Sequence, residues 1–267
     1  CGRRPSSRRR RLIDDGRNDK HLKDSVKHYR KTRRELDELA GNDGKKPIHP
    51  QYAARLIDEL AAQDAVFTAD VGTPTIWAAR YLRMTRERML LGSFVHGSMA
   101  NALPQALGAA AAASGRQVVA LSGDGGLAML MGDLLSITQN DLPVKIVVFN
   151  NSSLNFVELE MKAAGILDFG TGLPNPNFAD VASSMGITGI RVEKPGELVQ
   201  ALRTAFALPG AALVDVVVAR EELSLAPAIT AAQAKGFGLW ALRAVMSGRG
   251  DELLDLADVN LLRRIFR

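Results

Sequence analysis

Short apolar runs alternate along the chain with stretches whose apolar positions have helical spacing. The runs are rich in Val, Ile, Leu and Ala and predict β-strands. These predicted strands cover residues 65–70, 89–93, 117–122, 144–149, 188–193 and 212–218. The stretches between them predict helices over residues 52–63, 74–83, 98–113, 127–139, 156–164, 177–185 and 196–207. The pattern therefore predicts repeated strand–helix units.

The strand-like runs are apolar at consecutive positions and do not alternate with polar residues. Examples are residues 117–121 (QVVAL), 144–149 (VKIVVF) and 212–218 (ALVDVVV). Such runs are typical of strands that helices cover on both faces. Strand–helix–strand repetition of this kind gives parallel sheets. We therefore expect an α/β fold, with a doubly wound, mostly parallel, six-stranded sheet and a C-terminal helical tail.

Both ends of the chain depart from this pattern. Residues 20–40 predict a highly charged helix, and the sequence GNDGKKP after it is typical of a linker. Two more helices are predicted over residues 229–247 and 251–266. The last one would place several apolar residues on one face, namely Leu253, Leu254, Ala257, Leu261 and Ile265. The spacing fits a helix that packs on the protein as well as one that lies on a membrane.

Charge is distributed unevenly over the 267 residues, whose formal net charge is +5. Residues 1–46 contain 16 Lys and Arg against 8 Asp and Glu, whereas the remainder contains 18 against 21. The basic character thus belongs to the N-terminal arm, and we predict no nucleic-acid partner. The Arg-rich residues 1–19 predict a disordered end, with a nucleic-acid arm or a transit peptide as alternatives.

Composition excludes several classes of site. Cys1 is the single cysteine, so an internal disulfide or a cysteine-based zinc site is excluded. The longest apolar run, around residues 109–113, is too short to span a bilayer. An apolar fraction of 46% is ordinary for a folded soluble domain. The sequence is compatible with a protein of the cytoplasm.

Polar residues follow two of the predicted strands. Asp124 comes between glycines after residues 117–123, and Asn151 follows residues 144–150. Parallel sheets bind ligands at the carboxyl ends of their strands, and neighbouring strands lie ~5 Å apart. A carboxylate and an amide oxygen there would suit Mg²⁺, and the N–H groups of a helix starting near Leu127 would favour phosphate. The sequence therefore predicts one site for a metal and a diphosphate.

Simpler interpretations of the same residues exist. Asp124 could merely cap a helix, and the paired asparagines could merely form a turn. The sequence GDGGLA also fits the loose glycine pattern of dinucleotide-binding folds, but such folds expect an acid where Asn150 and Asn151 stand. A carboxylate beside pyrophosphate would repel it unless a cation lay between them. Because no P-loop motif occurs either, we favour the metal and diphosphate site.

The motif G-D-G, then 24 residues, then N-N resembles the signature of thiamine diphosphate enzymes. Segments such as DVGTPTIWAARYL, LGSFVHGSMANALPQALGA and LPVKIVVFNNSSL are most similar to the quinone-dependent pyruvate dehydrogenases, the bacterial flavoprotein pyruvate oxidases. The resemblance runs from about residue 20 to the C-terminus. It implies decarboxylation of pyruvate to acetate and CO2, with thiamine diphosphate, Mg²⁺ and FAD as cofactors and a membrane quinone as electron acceptor. Acetolactate synthases and phosphate-using pyruvate oxidases are alternatives.

The resemblance also assigns residues to the site. Asp124 and Asn151 would hold Mg²⁺ through their side chains, and Ser153 through its backbone carbonyl. Met99 would support the bent cofactor, although Met99 could be a core residue and Phe156 a plain helix-start anchor. The complete set of predicted cofactor-binding residues is Gly97, Ser98, Met99, Asp124, Gly125, Gly126, Asn151, Ser152, Ser153, Leu154, Asn155, Phe156 and Val157.

Three further residues are weaker candidates. Gly72 and Thr73 could touch the diphosphate, and His96 lies beside the site with no proton assigned to it. No catalytic residue is assigned, because the activating glutamate of the family belongs to an N-terminal domain that this sequence does not contain. The chain is therefore expected to be an incomplete enzyme, inactive by itself.

The resemblance divides the chain into segments. Residues 20–46 resemble the last helix and linker of an FAD-binding domain, residues 47–222 the thiamine diphosphate domain, and residues 223–267 a tail that binds lipid. It implies a homotetramer attached to the cytoplasmic face of the cell membrane. A non-catalytic remnant or interaction module is the remaining alternative.

Overall fold

The computed structural model describes residues 19–42, 44, 46–113, 115–222 and 230–262, with backbone alone for residues 261 and 262. The chain divides into two units, residues 1–39 and 40–267, which are described separately. The described part of the first unit is helix α1 (Lys20–Leu39), as predicted, and none of its residues is buried. Nearly all of the predicted disordered arm, residues 1–19, lies outside the described residues.

Six parallel strands form the sheet of the second unit, which confirms the predicted α/β fold class. The strand order is β2-β1-β3-β4-β6-β5, and every pair of neighbours is parallel. Each strand falls within or next to a predicted run. The strands are β1 (Val66–Ala69), β2 (Met89–Leu91), β3 (Val118–Gly123), β4 (Val144–Asn150), β5 (Thr188–Val192) and β6 (Ala212–Val217).

Helices connect these strands and cover both faces of the sheet. They are α2 (Pro50–Leu60), α3 (Thr73–Tyr81), α4 (Ala102–Ala112), α5 (Asp124–Met129), α6 (Leu134–Gln139), α7 (Asn155–Ala163), α8 (Phe178–Ser184), α9 (Pro195–Ala207), α10 (Ala231–Met246) and α11 (Gly250–Ala257). A 3₁₀ turn (Met131–Asp133) precedes α6, and a π turn (Asp258–Leu262) follows α11.

Alternate residues of the central strands pack on opposite faces, because successive side chains of a strand point in opposite directions. Val118 and Ala120 of β3 join Ile146 of β4 in a core with residues of α4, α6 and α8. Their neighbours Val119 and Val147 are buried as well, on the other face. Burial on both faces explains why the strand sequences lack alternation.

Three predicted elements have different bounds. The helix predicted over residues 98–113 begins only at Ala102, because Ala100 has a left-handed φ of 60° that no helix accommodates. The helix predicted over residues 127–139 is interrupted at Leu130, whose φ of −124° and ψ of 30° are not helical. The break was not predicted, because the residues around Leu130 are consecutively apolar in the sequence. Within the helix predicted over residues 251–266, the α-helix ends at Ala257 and a π turn continues to Leu262, while residues 263–267 lie outside the described part.

Helix α10 packs on the sheet domain through α7. Trp240 is fully buried, and the ammonium of Lys162 lies 5.0 Å from the centroid of its ring. Gly236 allows close contact, since a Cβ there would lie 1.8 Å from the carbonyl oxygen of Ala163. In α11, Leu254 is 71% exposed and Leu253 is half-buried. Within the described residues, no helix combines the length and apolarity needed to cross a membrane.

The strand order determines where on the sheet a ligand site is expected. Strand β1 lies between β2 and β3, so the connections leaving β1 and β2 run in opposite directions across the sheet. Ligands of open parallel sheets bind at such a reversal, outside the carboxyl ends of the strands. Asp70 follows β1 there, Asp124 follows β3, and Asn151 follows β4.

The contact between β5 and α8 depends on Gly189, where a Cβ would lie 1.9 Å from the carbonyl oxygen of Ala179. We expect Gly189→Ala to lower the free energy of unfolding by about 1–3 kcal/mol, because the strand and the helix must separate. Gly196→Ala in α9 is the control, since a Cβ there meets no atom within 4 Å. Alanine should be neutral at that position or stabilise the helix by up to about 1 kcal/mol. Urea unfolding measures both variants, and equal stabilities would contradict the prediction.

Candidate active site

Asp124 is buried at the carboxyl end of β3 and is surrounded by N–H donors. Its Oδ1 accepts a hydrogen bond from the backbone N–H of Gly125 at 2.9 Å, and its Oδ2 accepts one from Ser152 at 2.7 Å and one from the side chain of Asn175 at 2.7 Å. Burial raises the pKa of Asp124, although these hydrogen bonds oppose the shift. Among the described residues, no cationic side chain forms an ion pair with this carboxylate. Its surroundings can therefore accommodate a bound cation.

The segment after β4 turns towards Asp124. Ser152 has a left-handed φ of 56°, and its N–H points at the Asp124 carboxylate. The side-chain oxygen of Asn151 accepts a hydrogen bond from the N–H of Ser153 at 3.1 Å, and Ser153 is buried. A non-glycine residue with positive φ is strained unless its surroundings hold it. The turn thus brings the backbone of Ser152 and Ser153 close to the end of β3.

A second segment, residues 171–173, pairs with this turn. The N–H of Leu154 donates to the carbonyl of Thr171 at 2.8 Å, and the N–H of Leu173 donates to the carbonyl of Ser152 at 2.9 Å. Ser153 and Gly172 form an antiparallel bridge. The segment was not among the predicted site residues, but it fixes the turn that carries several of them.

Asp70 joins three parts of the site and was missed in the sequence. Its Oδ1 accepts from the N–H of Ala102 at 2.8 Å, and its Oδ2 accepts from the N–H of Gly123 at 3.0 Å. Burial raises the pKa of Asp70. A Cβ at Gly126 would lie 2.2 Å from Oδ2 of Asp70, so this glycine is required by a protein contact. An acid at the end of the β1 run was the signal available in the sequence.

The loop before α4 places Met99 beside Gly125. A Cβ built on Gly125 would lie 3.4 Å from Cε of Met99 and 2.9 Å from Cδ2 of Leu154. Met99 is 39% exposed, so it is not a core residue. Gly97 has a φ of 79°, and Ser98 accepts a hydrogen bond from the N–H of Val71 through its carbonyl at 3.3 Å. The structure therefore brings this predicted segment next to the glycines after Asp124.

Other predicted residues lie around the same edge. Asn155 is buried and donates to the carbonyl of Arg220, whereas Phe156 and Val157 are exposed at the start of α7. Gly72 and Thr73 begin α3 at the end of β1, and His96 is exposed in the loop before Met99. The positions of these residues do not by themselves identify a ligand, and their roles stay predictions.

A model of a known family matches the part of the chain that contains this site. The family is described as thiamine pyrophosphate enzyme, C-terminal TPP binding domain, and the match covers residues 70–216, more than half of the chain. It extends from Asp70 to Val216 in β6 and includes both segments around Asp124. The chain belongs to this family. Thiamine pyrophosphate is the cofactor that is also called thiamine diphosphate.

Individual relatives agree with the family. Over 220 residues the chain is 36% identical to YdaP of Bacillus subtilis (strain 168), provisionally named as a thiamine pyrophosphate-containing protein, across 82% of this chain and 38% of YdaP. Over 184 residues it is 39% identical to acetolactate synthase 2, chloroplastic, of Brassica napus, across 66% of this chain and 29% of the synthase. The corresponding enzyme of Zea mays is 35% identical over 184 residues, with the same shares.

The chain thus spans between 29% and 38% of the length of these relatives. The comparisons establish the thiamine diphosphate enzyme family, which the sequence motif predicted. They do not single out the quinone-dependent pyruvate dehydrogenases, because two of the three relatives named are acetolactate synthases.

Behind the turn of this thiamine diphosphate domain lies a charged cluster centred on Glu158. Glu158 is 2% exposed and accepts hydrogen bonds from Ser153, from Lys162 at 2.6 Å and from Arg220 at 3.1 Å. Burial alone would raise the pKa of Glu158, but the hydrogen bonds from Lys162 and Ser153 outweigh it and hold the pKa below its ordinary value of 4.5. The cluster therefore anchors the buried side of the turn.

The charged cluster continues to the C-terminal helices around a polar cavity of about 330 Å³. Arg249, just before α11, donates to Asp168 at 2.5 Å and to Glu252 at 2.6 Å, and Arg220 lies 3.7 Å from Asp168. Ion pairs and hydrogen bonds thus join the turn after β4 to α11. The cavity is lined by Glu158, Lys162, Asp168, Gly170, Thr171, Gly172, Arg220, Glu221, Arg249 and Glu252.

We expect Glu158→Gln to lower the free energy of unfolding by about 3 kcal/mol at neutral pH, because it leaves the buried Lys162 without its carboxylate. The ionised Glu158 favours the folded state above pH 4.5, and this contribution is lost as the pH falls through the lowered pKa. The difference between variant and parent should therefore shrink in acid. Chemical denaturation across this pH range measures it, with the exposed Glu160→Gln as control. A difference that does not change with pH would contradict the prediction.

Proposed function

We propose that this chain holds the diphosphate of thiamine diphosphate through Mg²⁺, in an enzyme that decarboxylates pyruvate. The observation that carries the proposal is the buried Asp124 carboxylate, which faces neutral N–H donors beside the turn at Asn151. A buried carboxylate without an opposite charge is costly, and a divalent cation would compensate it. Membership of the thiamine diphosphate family supports this ligand.

The donor atoms at this edge of the sheet fit Mg²⁺. We assign the side-chain oxygens of Asp124 and Asn151 and the backbone carbonyl of Ser153 as its protein ligands. All are hard oxygen donors, and a small number of them leaves positions for water and phosphate oxygens, as Mg²⁺ prefers. Within the described residues, no group of three or more His, Cys, Asp or Glu could hold a metal. A mixed set of carboxylate, amide and carbonyl oxygens is therefore the better candidate.

The remaining residues would shape the cofactor site. The side chains of Met99 and Leu154 both lie next to the position that a Cβ of Gly125 would take, and they would contact the cofactor. When bound, thiamine diphosphate supplies a thiazolium ring that accepts electrons as CO2 leaves a 2-oxo acid. This chain's share of the reaction is to hold and orient that cofactor. We propose that the group that activates it belongs to another domain or subunit.

Exposed apolar residues support a partner surface at the site. Val95 is fully exposed, and Phe94, Phe156 and Val157 are between 39% and 46% exposed. These apolar side chains belong to the loop before α4 and to the start of α7. Exposed apolar residues of this kind are typical of surfaces that another domain or subunit covers. We propose that the complete enzyme is a homo-oligomer, a tetramer, in which a second domain closes this site.

For the fate of the electrons we propose transfer through FAD to a membrane quinone, with acetate as the product. The segments quoted in the sequence support this assignment, and the apolar residues of α11 support attachment of the tail to lipid at the cytoplasmic face of the membrane. The competing candidate is acetolactate synthesis. Its support is the 35–39% identity to enzymes named for that product.

The cofactor proposal predicts that Asp124→Asn weakens binding of thiamine diphosphate and Mg²⁺ by roughly 100-fold or more, since loss of even an outer-shell partner of a metal costs up to this much. Isothermal titration of thiamine diphosphate into the chain, with saturating Mg²⁺ and separately with EDTA, measures the effect. Asp133→Asn is the control, because Asp133 precedes α6 without a side-chain capping bond. Unchanged binding by Asp124→Asn would contradict the proposal, as would binding that persists in EDTA.

The electron-transfer proposal predicts acetate from pyruvate when the natural-length enzyme containing this chain is supplied with FAD, a soluble quinone analogue and anionic lipid vesicles. Acetate formation should require the quinone, and the enzyme should sediment with the vesicles. Acetolactate formed without any acceptor would instead establish the competing function. The two products are distinguished by chromatography.

A further inference from the structure

The side chain of Asn175 lies between two residues at the ends of neighbouring strands. Its amide nitrogen donates to Oδ2 of Asp124 at 2.7 Å and to the side-chain oxygen of Asn150 at 3.0 Å. An amide nitrogen has two N–H groups, so both of its donors are used. Asn175 therefore links the end of β3 directly to the end of β4.

The contacts of Asp124 differ between its two oxygens. Oδ2 accepts from the N–H of Ser152 and from Asn175, both at 2.7 Å, whereas Oδ1 accepts from the N–H of Gly125 at 2.9 Å, and the backbone N–H of Asn151 also interacts with this carboxylate. Each carboxylate oxygen has about two lone-pair positions. The two short hydrogen bonds thus both go to Oδ2, and Oδ1, with one longer bond from Gly125, is the oxygen better suited to a further partner.

The orientation of Asn175 is itself fixed by its neighbours. The side-chain nitrogen of Asn150 donates to Oδ1 of Asp215 at 2.9 Å, and a carboxylate can only accept, so the side-chain oxygen of Asn150 must face Asn175. Arg191 donates to Oδ2 of Asp215 at 2.7 Å, and Asp215 is fully buried in β6. These bonds leave the nitrogen of Asn175 as the group that must face Asp124.

The loop that carries Asn175 is held on both sides. Before it, residues 171–173 pair with the turn at residues 152–154. After it, Asn177 caps α8 by accepting from the N–H groups of Ala179 and Asp180. Asn175 is therefore placed by backbone contacts that do not involve Asp124.

We propose that Asn175 is a positioning residue, which turns the Asp124 carboxylate so that Oδ1 holds the divalent cation and Oδ2 does not. This inference rests on the proposed function of the site. It also gives the segment around residue 175 a role that the sequence motif does not include.

Asn175 should affect which metal ion the site prefers. Mg²⁺ requires nearly ideal octahedral geometry at short distances, whereas Ca²⁺ accepts more ligands in flexible arrangements. A carboxylate that lacks one of its two Oδ2 donors can rotate and offer both oxygens. Loss of Asn175 should therefore weaken binding of Mg²⁺ much more than binding of Ca²⁺, whereas a merely structural residue would affect both equally.

The test is titration calorimetry of the chain with thiamine diphosphate, in the presence of either Mg²⁺ or Ca²⁺. We expect Asn175→Ala to weaken Mg²⁺-dependent binding by about 10–100-fold, the range seen when outer-shell partners are removed. Ca²⁺-dependent binding should change much less. The matched control is Asn177→Ala. It removes the same amide group from the same loop, together with the cap of α8, but it leaves the contacts of Asp124 unchanged. Circular dichroism checks that each variant is folded.

Several outcomes would overturn the proposal. One is unchanged Mg²⁺-dependent binding in Asn175→Ala, and another is an equal loss with both cations. A loss in Asn177→Ala as large as that in Asn175→Ala would assign the effect to the loop as a whole. If Asn175→Ala does not fold, Asn175→Ser takes its place, because serine keeps one hydrogen-bond donor. This variant should show the same change in metal selectivity, but a smaller one. If it shows no such change, the proposal is overturned as well. Failure of the parent chain to bind with either cation would instead refute the proposed function itself.

Discussion

The structure of the site depends on a buried carboxylate whose protein partners carry no positive charge. Asp124 is 3% exposed, and within the described residues it is held by N–H groups alone. Removing such a charge from water is costly, and neutral hydrogen bonds repay only part of the cost. The chain keeps the carboxylate at this position because the turn at Ser152 and the side chain of Asn175 both donate to it. A divalent cation, which can also bind phosphate oxygens, would supply the missing positive charge, and the proposed function follows from this constraint.

A second buried carboxylate gives the same edge of the sheet its shape. Asp70 connects the end of β1 to the start of α4 and the end of β3 through hydrogen bonds to backbone N–H groups, and it occupies the space that a side chain at residue 126 would need. Ala100, which precedes α4, and Ser152, whose N–H donates to Asp124, both have left-handed backbone conformations. Strained backbone of this kind persists where the surroundings hold it in place, and it is frequent at functional sites. The loops are thus fixed by polar contacts before any ligand is considered.

The sheet could be predicted closely, because continuous apolar runs bounded by polar residues are a strong signal for buried parallel strands. The spacing of Asp124 and Asn151 was equally informative, since both follow such runs. By contrast, the break at Leu130 was hidden within an apolar stretch, and the late start of α4 depends on the φ of one alanine. Asn175 could not be found from its spacing in the sequence, because its contact with Asp124 depends on the pairing of residues 171–173 with the turn. Contacts made by tertiary folding leave no periodic signal in the sequence.

The thiamine diphosphate family is established by residues 70–216, whereas the reaction of the complete enzyme is a proposal. The central claim concerns a single atom pair, the cation and Oδ1 of Asp124. Crystals of the chain grown with MnCl2 and thiamine diphosphate, measured for the anomalous scattering of manganese, test it most directly. We expect one strong anomalous peak between Oδ1 of Asp124, the side-chain oxygen of Asn151 and the carbonyl of Ser153. A peak elsewhere, or cofactor bound without manganese at this position, would contradict it.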